Sequence, residues 1–419
     1  MKLNRRTFIG TSLATGAALA TPALAQAKPK VVVIGGGTGG ATCARYIAKD
    51  SEGAIDVTLV EANPVYTTCY FSNLYLGDFR TFDSLQHGYE TLAQTGVTVV
   101  TDMATGVDRD AKTVTLASGD TLSYDKLVLS PGIDFVEGSV NGWVEAEHDQ
   151  IMPHAYKAGP QTTLLKEQLE AMPEGGTFVM IAPPNPYRCP PGPYERVSMV
   201  AHLMTKINPT AKIMVLDPKP KFSKQGLFQD GWNRHYAGMI EWVGPDFGTE
   251  NITVMPETME VDLDGEMIQA DVVNVIPGQM AGKIAGIAGV TEGNWAPVMP
   301  DDMKSKIDEN IHVLGDASAQ GDMPKSGFSA NSQAKVAAMA IRGELTGSRV
   351  FPAKYSNTCW SLLGVDDGVK VGASYESNGE KIASVGSFIS QVGEDAALRK
   401  ATYEESLGWY AGITSDIFG

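Results

Sequence analysis

Residues Val31–Gly40 read VVVIGGGTGG, a short apolar strand that runs directly into Gly35-x-Gly37-x-x-Gly40. A helical stretch, Ala41–Ile47, follows at once. Strand, glycine turn and helix in this order form the fingerprint of a dinucleotide-binding unit. Gly35 permits the tight turn, Gly37 keeps the backbone open to a pyrophosphate, and Gly40 lets helix and strand pack closely. The helix N-terminus offers free N–H groups and the positive end of its dipole to phosphate. The next strand, Asp56–Val60, leads to Glu61, which stands about twenty residues beyond the last glycine, where the fingerprint places a ribose acceptor.

Outward from this unit, Gly96–Thr101 reads as a further strand. Lys112–Ala117 and Lys126–Leu129 bracket the turn Ser118-Gly119-Asp120 as a β-meander, which ends in YDKLVLSPG at Tyr124–Gly132. A second α/β unit begins near Pro160. Its expected elements are a helix at Thr162–Met172, a strand at Thr177–Ala182, a helix at Tyr194–Ile207 and a strand at Lys212–Leu216 ending at Asp217. Where that unit should carry its own glycine loop, the chain has PPNPYRCPPGPYE, with six prolines between Pro183 and Pro193. Proline removes N–H donors and its ring fills the space a pyrophosphate needs. The second unit is therefore expected to lack a nicotinamide-nucleotide cradle. Further on, a strand ends in Gly315-Asp316, and a helix of roughly Ser329–Ile341 follows. A carboxylate there suits the ribitol hydroxyls of FAD, and the helix N-terminus suits the flavin pyrimidine ring.

The N-terminus reads MKLNRRTFIGTSLATGAALATPALAQA. Arg5-Arg6 before a mildly apolar, small-residue stretch predicts a twin-arginine export signal over residues 1–27, cleaved after Ala25 or Ala27, and a periplasmic location. The 419-residue chain carries a formal charge of −16. That acidity argues against nucleic acid and anionic lipid surfaces, and no other apolar run predicts stable membrane insertion. The four cysteines, Cys43, Cys69, Cys189 and Cys359, are too widely spaced for a zinc site, and no metal site is expected. Without Cys-x-x-Cys-His the chain holds no c-type haem of its own.

Taken together, the segments VVVIGGGTGGAT, YTTCYFSNLYLG, MPHAYKAG, YRCPPGPYER, HVLGDAS, PKSGFSANSQAK and NTC at Asn357–Cys359 resemble the flavoprotein subunit of flavocytochrome c sulfide dehydrogenase, a relative of sulfide:quinone oxidoreductase. The resemblance runs along the whole mature chain. It implies an α/β fold with two Rossmann-like, glutathione-reductase-like domains and a smaller C-terminal α+β domain. The expected division is residues 28–159 with 285–349 for FAD, 160–284 for the second unit and 350–419 for an interface domain.

The resemblance also implies roles. Cys69 would be tied through a thioether to the FAD 8α-methyl. Cys189 and Cys359 would form a redox disulfide over the flavin, attacked by hydrosulfide and passing two electrons inward. Glu195 would serve as acid–base, with helix N-terminal charge as its plainer reading. Lys325, Ser326 and Asn331 join Gly35, Gly37, Gly40, Glu61, Gly315 and Asp316 as cofactor contacts. Electrons would leave singly to a c-type cytochrome subunit carrying the haem, with Trp360 or Trp409 on the path or in simple packing roles. Cys43 reads as a small buried thiol, and His154 and His202 as structural histidines. Two competing readings are a quinone reductase and an idle flavin-bound scaffold that docks a cytochrome.

Overall fold

The computed structural model describes residues 27–419. The expected export signal therefore lies outside the described residues, Ala27 excepted.

The fingerprint strand Lys30–Ile34 sits at the centre of a five-stranded sheet. It pairs in parallel with Asp56–Glu61 on one side and Lys126–Leu129 on the other. Val97–Thr101 and Ile311–Val313 close the two edges, also in parallel. All-parallel sheets are buried on both faces and read as unbroken apolar runs, which is why VVVI and KLVL are buried at every position. Lys126–Leu129 was expected in the meander; its burial on both faces draws it into this sheet instead. The meander is Ala104–Asp108, Thr113–Leu116 and Thr121–Ser123.

The helix after the glycine turn spans Thr38–Asp50, so it starts before the expected Ala41 and takes Gly39 and Gly40 into its first turn. A Cβ on Gly40 would lie 1.9 Å from the Gly35 carbonyl oxygen, and Gly35 itself sits at φ +99°. Neither position accepts another residue without the turn opening.

The second unit repeats the plan. Thr177–Ile181 is central in a four-stranded parallel sheet, flanked by Lys212–Leu216 and Val272–Val275, with Ile240–Val243 at the edge. It has its own antiparallel meander, Ile252–Met255, Glu260–Leu263 and Glu266–Gln269, which the sequence reading did not anticipate. The helix Gly192–Ile207 begins two residues before the expected Tyr194, with Pro193 in its first turn, where a missing N–H costs nothing.

The C-terminal unit is an antiparallel sheet of Lys354–Gly364, Asp367–Ser377 and Ile382–Ile389, backed by the helix Ala396–Phe418. That helix buries Tyr410, Ile413, Ile417 and Phe418. Among the described residues no helix is long and apolar enough to cross a membrane.

Candidate active site at two joined cavities

Two cavities meet along the first sheet's carboxyl edge. The larger, about 490 Å³, is lined by Gly35, Gly37, Glu61, Cys69, Arg188, Gly315, Asp316 and Ser326 among others. The smaller, about 70 Å³, is lined by Cys69, Arg188, Cys189, Glu195, Arg196, Ser326, Cys359, Trp360 and Trp409 among others. Cys69, Arg188, Ser326 and Gly327 border both and so form the throat between them.

The large cavity has the chemistry of a dinucleotide cradle. Glu61 is fixed by the Gly36 N–H at 2.7 Å and the Asn63 N–H at 2.9 Å. The first-turn N–H groups of Thr38–Asp50 have no acceptor within their own helix, and the residues Gly37, Thr38 and Gly39 line the cavity. Asp316 has a buried oxygen, Oδ1, with no partner among the described residues. Burial pushes its carboxyl up, opposed by the charges of Arg188 and Lys325. A buried carboxylate oxygen left unpaired is costly, and a polyhydroxyl ligand in this cavity would satisfy it. The residues therefore fit FAD, with Glu61 for a ribose and Asp316 for the ribitol chain.

Three expected cofactor contacts, Gly40, Lys325 and Asn331, line neither cavity. The Lys325 ammonium donates to the carbonyls of Asp316 at 2.8 Å and Ser318 at 2.7 Å and lies 3.6 Å from the Trp295 ring centroid. It clamps the Gly-Asp turn from behind. Asn331 donates to Thr42 Oγ1 at 3.0 Å and Asp416 Oδ2 at 2.9 Å, tying three helices together. The direction of Asn331 follows from the helix Gly327–Thr346, which starts earlier than expected because Ser326 caps it, its Oγ accepting the Ser329 N–H at 3.1 Å. Gly327 and Ala330 thus face the large cavity, while Asn331 is turned away.

The small cavity collects the sulfurs. Cys189 sits in the proline loop at φ 53°, a conformation non-glycine residues rarely adopt. Its N–H donates to the Lys325 carbonyl at 2.7 Å and its own carbonyl accepts from Gly192 N–H at 2.7 Å, which hold it there. Cys359 lies on the strand Lys354–Gly364, 8 % exposed, with Asn357 Nδ2 3.3 Å from its sulfur. All four cysteines are free thiols, so the expected Cys189–Cys359 bond is not formed and the two stand as a dithiol on one cavity. Burial pushes the Cys189 thiol well up, with Cys359 and Glu195 adding to it. Burial also raises Cys359, against the Asn357 hydrogen bond and the charge of Lys224. Cys43 is fully buried in the first core, as a packing thiol should be.

Glu195, 9 % exposed, enters from the first turn of Gly192–Ile207. Its Oε1 accepts the Leu362 N–H at 3.0 Å and its Oε2 accepts from Asn73 Nδ2 at 2.9 Å. Burial raises its carboxyl despite both bonds, a shift in the direction that suits a proton-carrying group. Asn73, Arg188 and Arg196 were missed by sequence reasoning. The signal was present in YRCPPGPYER, where two arginines flank the cysteine and the glutamate inside an apolar, proline-rich segment. Trp360 and Trp409 stack at 5.1 Å between centroids. His154 accepts the Tyr156 N–H on Nδ1 at 2.9 Å, and burial pushes its imidazole down to about 3, a structural histidine.

In the second unit, Asp217 is fully buried and spent on its own chain. Its carboxylate accepts from Tyr194 Oη at 2.6 Å, Trp242 Nε1 at 3.1 Å and the Lys219 N–H at 3.0 Å, with Lys219 Nζ at 2.7 Å. No oxygen is left to greet a ribose.

Fold and cavities define a two-dinucleotide-domain flavoprotein of the disulfide-oxidoreductase type. Residues 29–156 match the pyridine nucleotide-disulphide oxidoreductase family. Residues 162–277 match the central domain of the sulfide dehydrogenase [flavocytochrome c] flavoprotein chain, and residues 352–418 match the flavin-binding domain of flavocytochrome c sulphide dehydrogenase. The sulfide dehydrogenase [flavocytochrome c] flavoprotein chain of Chlorobaculum thiosulfatiphilum is 52% identical over 44 residues, 10% of this chain and 90% of that sequence. The chain belongs to this family of flavocytochrome c sulfide dehydrogenase flavoprotein chains. A sulfide-quinone reductase of Aquifex aeolicus is 33% identical over 111 residues, 26% of this chain and only 25% of that protein's length. The solved sulfide:quinone oxidoreductase of the same bacterium shares the fold, with a TM-score of 0.68 and 20% identity over 93% of this chain and 92% of that one.

Proposed function

We propose that this chain oxidises sulfide at the Cys189–Cys359 pair, delivers the electrons to FAD in the large cavity and passes them on to a c-type cytochrome subunit. The single observation that carries the reading is that both sulfurs line one small cavity whose throat, at Cys69 and Arg188, opens into the dinucleotide cradle. Bound FAD supplies an acceptor for an electron pair that can be returned one electron at a time.

The chain's own residues do the rest. In the oxidised pair, hydrosulfide attacks one sulfur, a persulfide forms there and the other sulfur leaves as thiolate. A second hydrosulfide attacks the outer sulfur of the persulfide, and hydrodisulfide is released as that cysteine leaves as thiolate. The two cysteines remain as a dithiol, which is reoxidised to the disulfide as its electron pair passes to bound FAD. Glu195, with its raised carboxyl, takes and returns the protons of hydrogen sulfide and the released thiol. Cys69 at the throat suits a thioether to the flavin edge, which would keep the cofactor bound after twin-arginine export to the periplasm. The Trp360–Trp409 stack at the wall of the small cavity supports an exit for single electrons toward the partner's haem. The spent carboxylate of Asp217 speaks against a nicotinamide nucleotide as the acceptor.

The test is anaerobic titration of the purified holoprotein with sulfide, followed by addition of oxidised c-type cytochrome. Bleaching of the flavin by sulfide and recovery on cytochrome addition support the reading. Recovery only with a quinone would favour the quinone reductase, and no bleaching would favour an idle scaffold.

A further inference from the structure

Lys224 is an unusual residue for its position. It precedes the helix Gln225–His235 at φ 62°, where glycine or asparagine would sit without strain. It is 6 % exposed, and its ammonium donates to the Cys359 carbonyl at 3.0 Å and to Ser361 Oγ at 2.8 Å. Both acceptors are neutral, and among the described residues no carboxylate lies within ion-pair distance of it. Arg196, which lines the small cavity, is also buried, and its hydrogen bonds go to the neutral oxygens of Asn73, His154, Ala155 and Asn274, with the charges of Cys189 and Glu195 nearby. A buried cation without a counter-charge is strongly disfavoured. Among the described residues Glu195 is the one carboxyl lining the small cavity; burial raises it, while its bonds to Asn73 and Leu362 and the charges of Lys224 and Arg196 favour its carboxylate. The charges that support the Lys224 ammonium against burial come first from the Cys359 sulfur and then from Glu195 and Cys189.

We propose that Lys224 is the positioning residue that stabilises the Cys359 thiolate, so that hydrosulfide attacks Cys189 and Cys359 is the sulfur released. The inference rests on the pair acting as a redox couple. As the Cys189–Cys359 bond breaks, a sulfur–sulfur bond forms between hydrosulfide and Cys189. The electron pair of the broken bond leaves on Cys359, and Cys189 keeps the persulfide. Exposure agrees, since Cys189 is part-exposed and Cys359 is buried. Burial pushes the Lys224 ammonium down to about 8, so its charge is present at neutral pH and fades above it. Other ionisable groups near this pair are Glu195 and Arg196 from the helix Gly192–Ile207, Cys189 itself, and Tyr375 from the neighbouring strand.

The experiment measures iodoacetamide labelling of the reduced holoprotein against pH, with the Cys189 and Cys359 peptides quantified separately by mass spectrometry. In the unmodified protein Cys359 should label with a lower pH midpoint than Cys189. K224M should raise the Cys359 midpoint by about one pH unit, a tenfold loss of thiolate at neutral pH, with Cys189 moved far less, and K224R should restore it. Coincident Cys359 profiles in K224M and the unmodified protein, or equal shifts at both cysteines that K224R fails to reverse, would overturn the proposal. If K224M does not fold, a Cys189 midpoint below that of Cys359 in the unmodified protein overturns it alone. Failure of the couple itself would appear separately, as absence of a Cys189–Cys359 cross-linked peptide after oxidation.

Discussion

The N–H of Leu362 donates to Glu195 Oε1 at 3.0 Å, joining the helix that follows the Cys189 loop to the strand that carries Cys359. One hydrogen bond thus ties together the two halves of the sulfur site, which come from different units of the chain. It also fixes the carboxyl beside the sulfurs, with Asn73 holding its other oxygen.

Glu195→Gln should keep the Leu362 contact while removing the proton carrier. Sulfide oxidation is expected to fall by on the order of 10²-fold, within the usual range for loss of a general acid–base, as read in a cytochrome-reduction assay. Burial raises the folded-state carboxyl above its unfolded value. Its contribution to stability is therefore full below the unfolded pKa and is lost as pH rises through the folded one. E195Q should gain in melting temperature relative to the unmodified protein as pH rises above the ordinary glutamate range and through the raised carboxyl. A gap that narrows with rising pH would contradict this.

Asp316→Ala should weaken non-covalent flavin binding in the large cavity. Oδ1 has no partner among the described residues, so a bound flavin's ribitol chain would satisfy it. Loss of a charge-assisted hydrogen bond of about 1.5–3 kcal/mol should lower the ratio of flavin to protein absorbance in preparations reconstituted at limiting FAD.

Cys69→Ser should convert tightly held colour into colour that acid releases. In the unmodified protein the yellow should remain with the acid-precipitated polypeptide and map to the Cys69 peptide. Flavin that washes from both proteins alike would remove the thioether.

NADH should fail to reduce the flavin at any concentration that sulfide makes unnecessary, because Asp217 is occupied by Tyr194, Trp242 and Lys219. Stopped-flow absorbance under anaerobic conditions reads this directly, and fast bleaching by NADH would show a nucleotide site that the fold conceals.

Much of this was legible in the sequence because it is local. Strand, glycine turn and helix are set by residues adjacent in the chain, as is the proline filling of the second cradle. The strand Lys126–Leu129 was misplaced because an apolar run carries no alternation to say which sheet receives it. Asn331 was misjudged because direction along a helix depends on where it begins, and the Ser326 cap shifted that start by two residues. Lys325 was misjudged because its ammonium is spent on the carbonyls of Asp316 and Ser318. Asn73, Arg196 and Lys224 went unseen for a different reason. Their partners, Glu195, Asn274 and Cys359, are brought near only by the packing of separate units.

The central claim is most directly tested by mapping disulfides in the air-oxidised holoprotein and repeating the map after anaerobic sulfide. The account predicts one cross-linked peptide joining Cys189 to Cys359, which sulfide opens as the flavin bleaches. Persistently free thiols at both positions, with the flavin still reduced by sulfide, would contradict it.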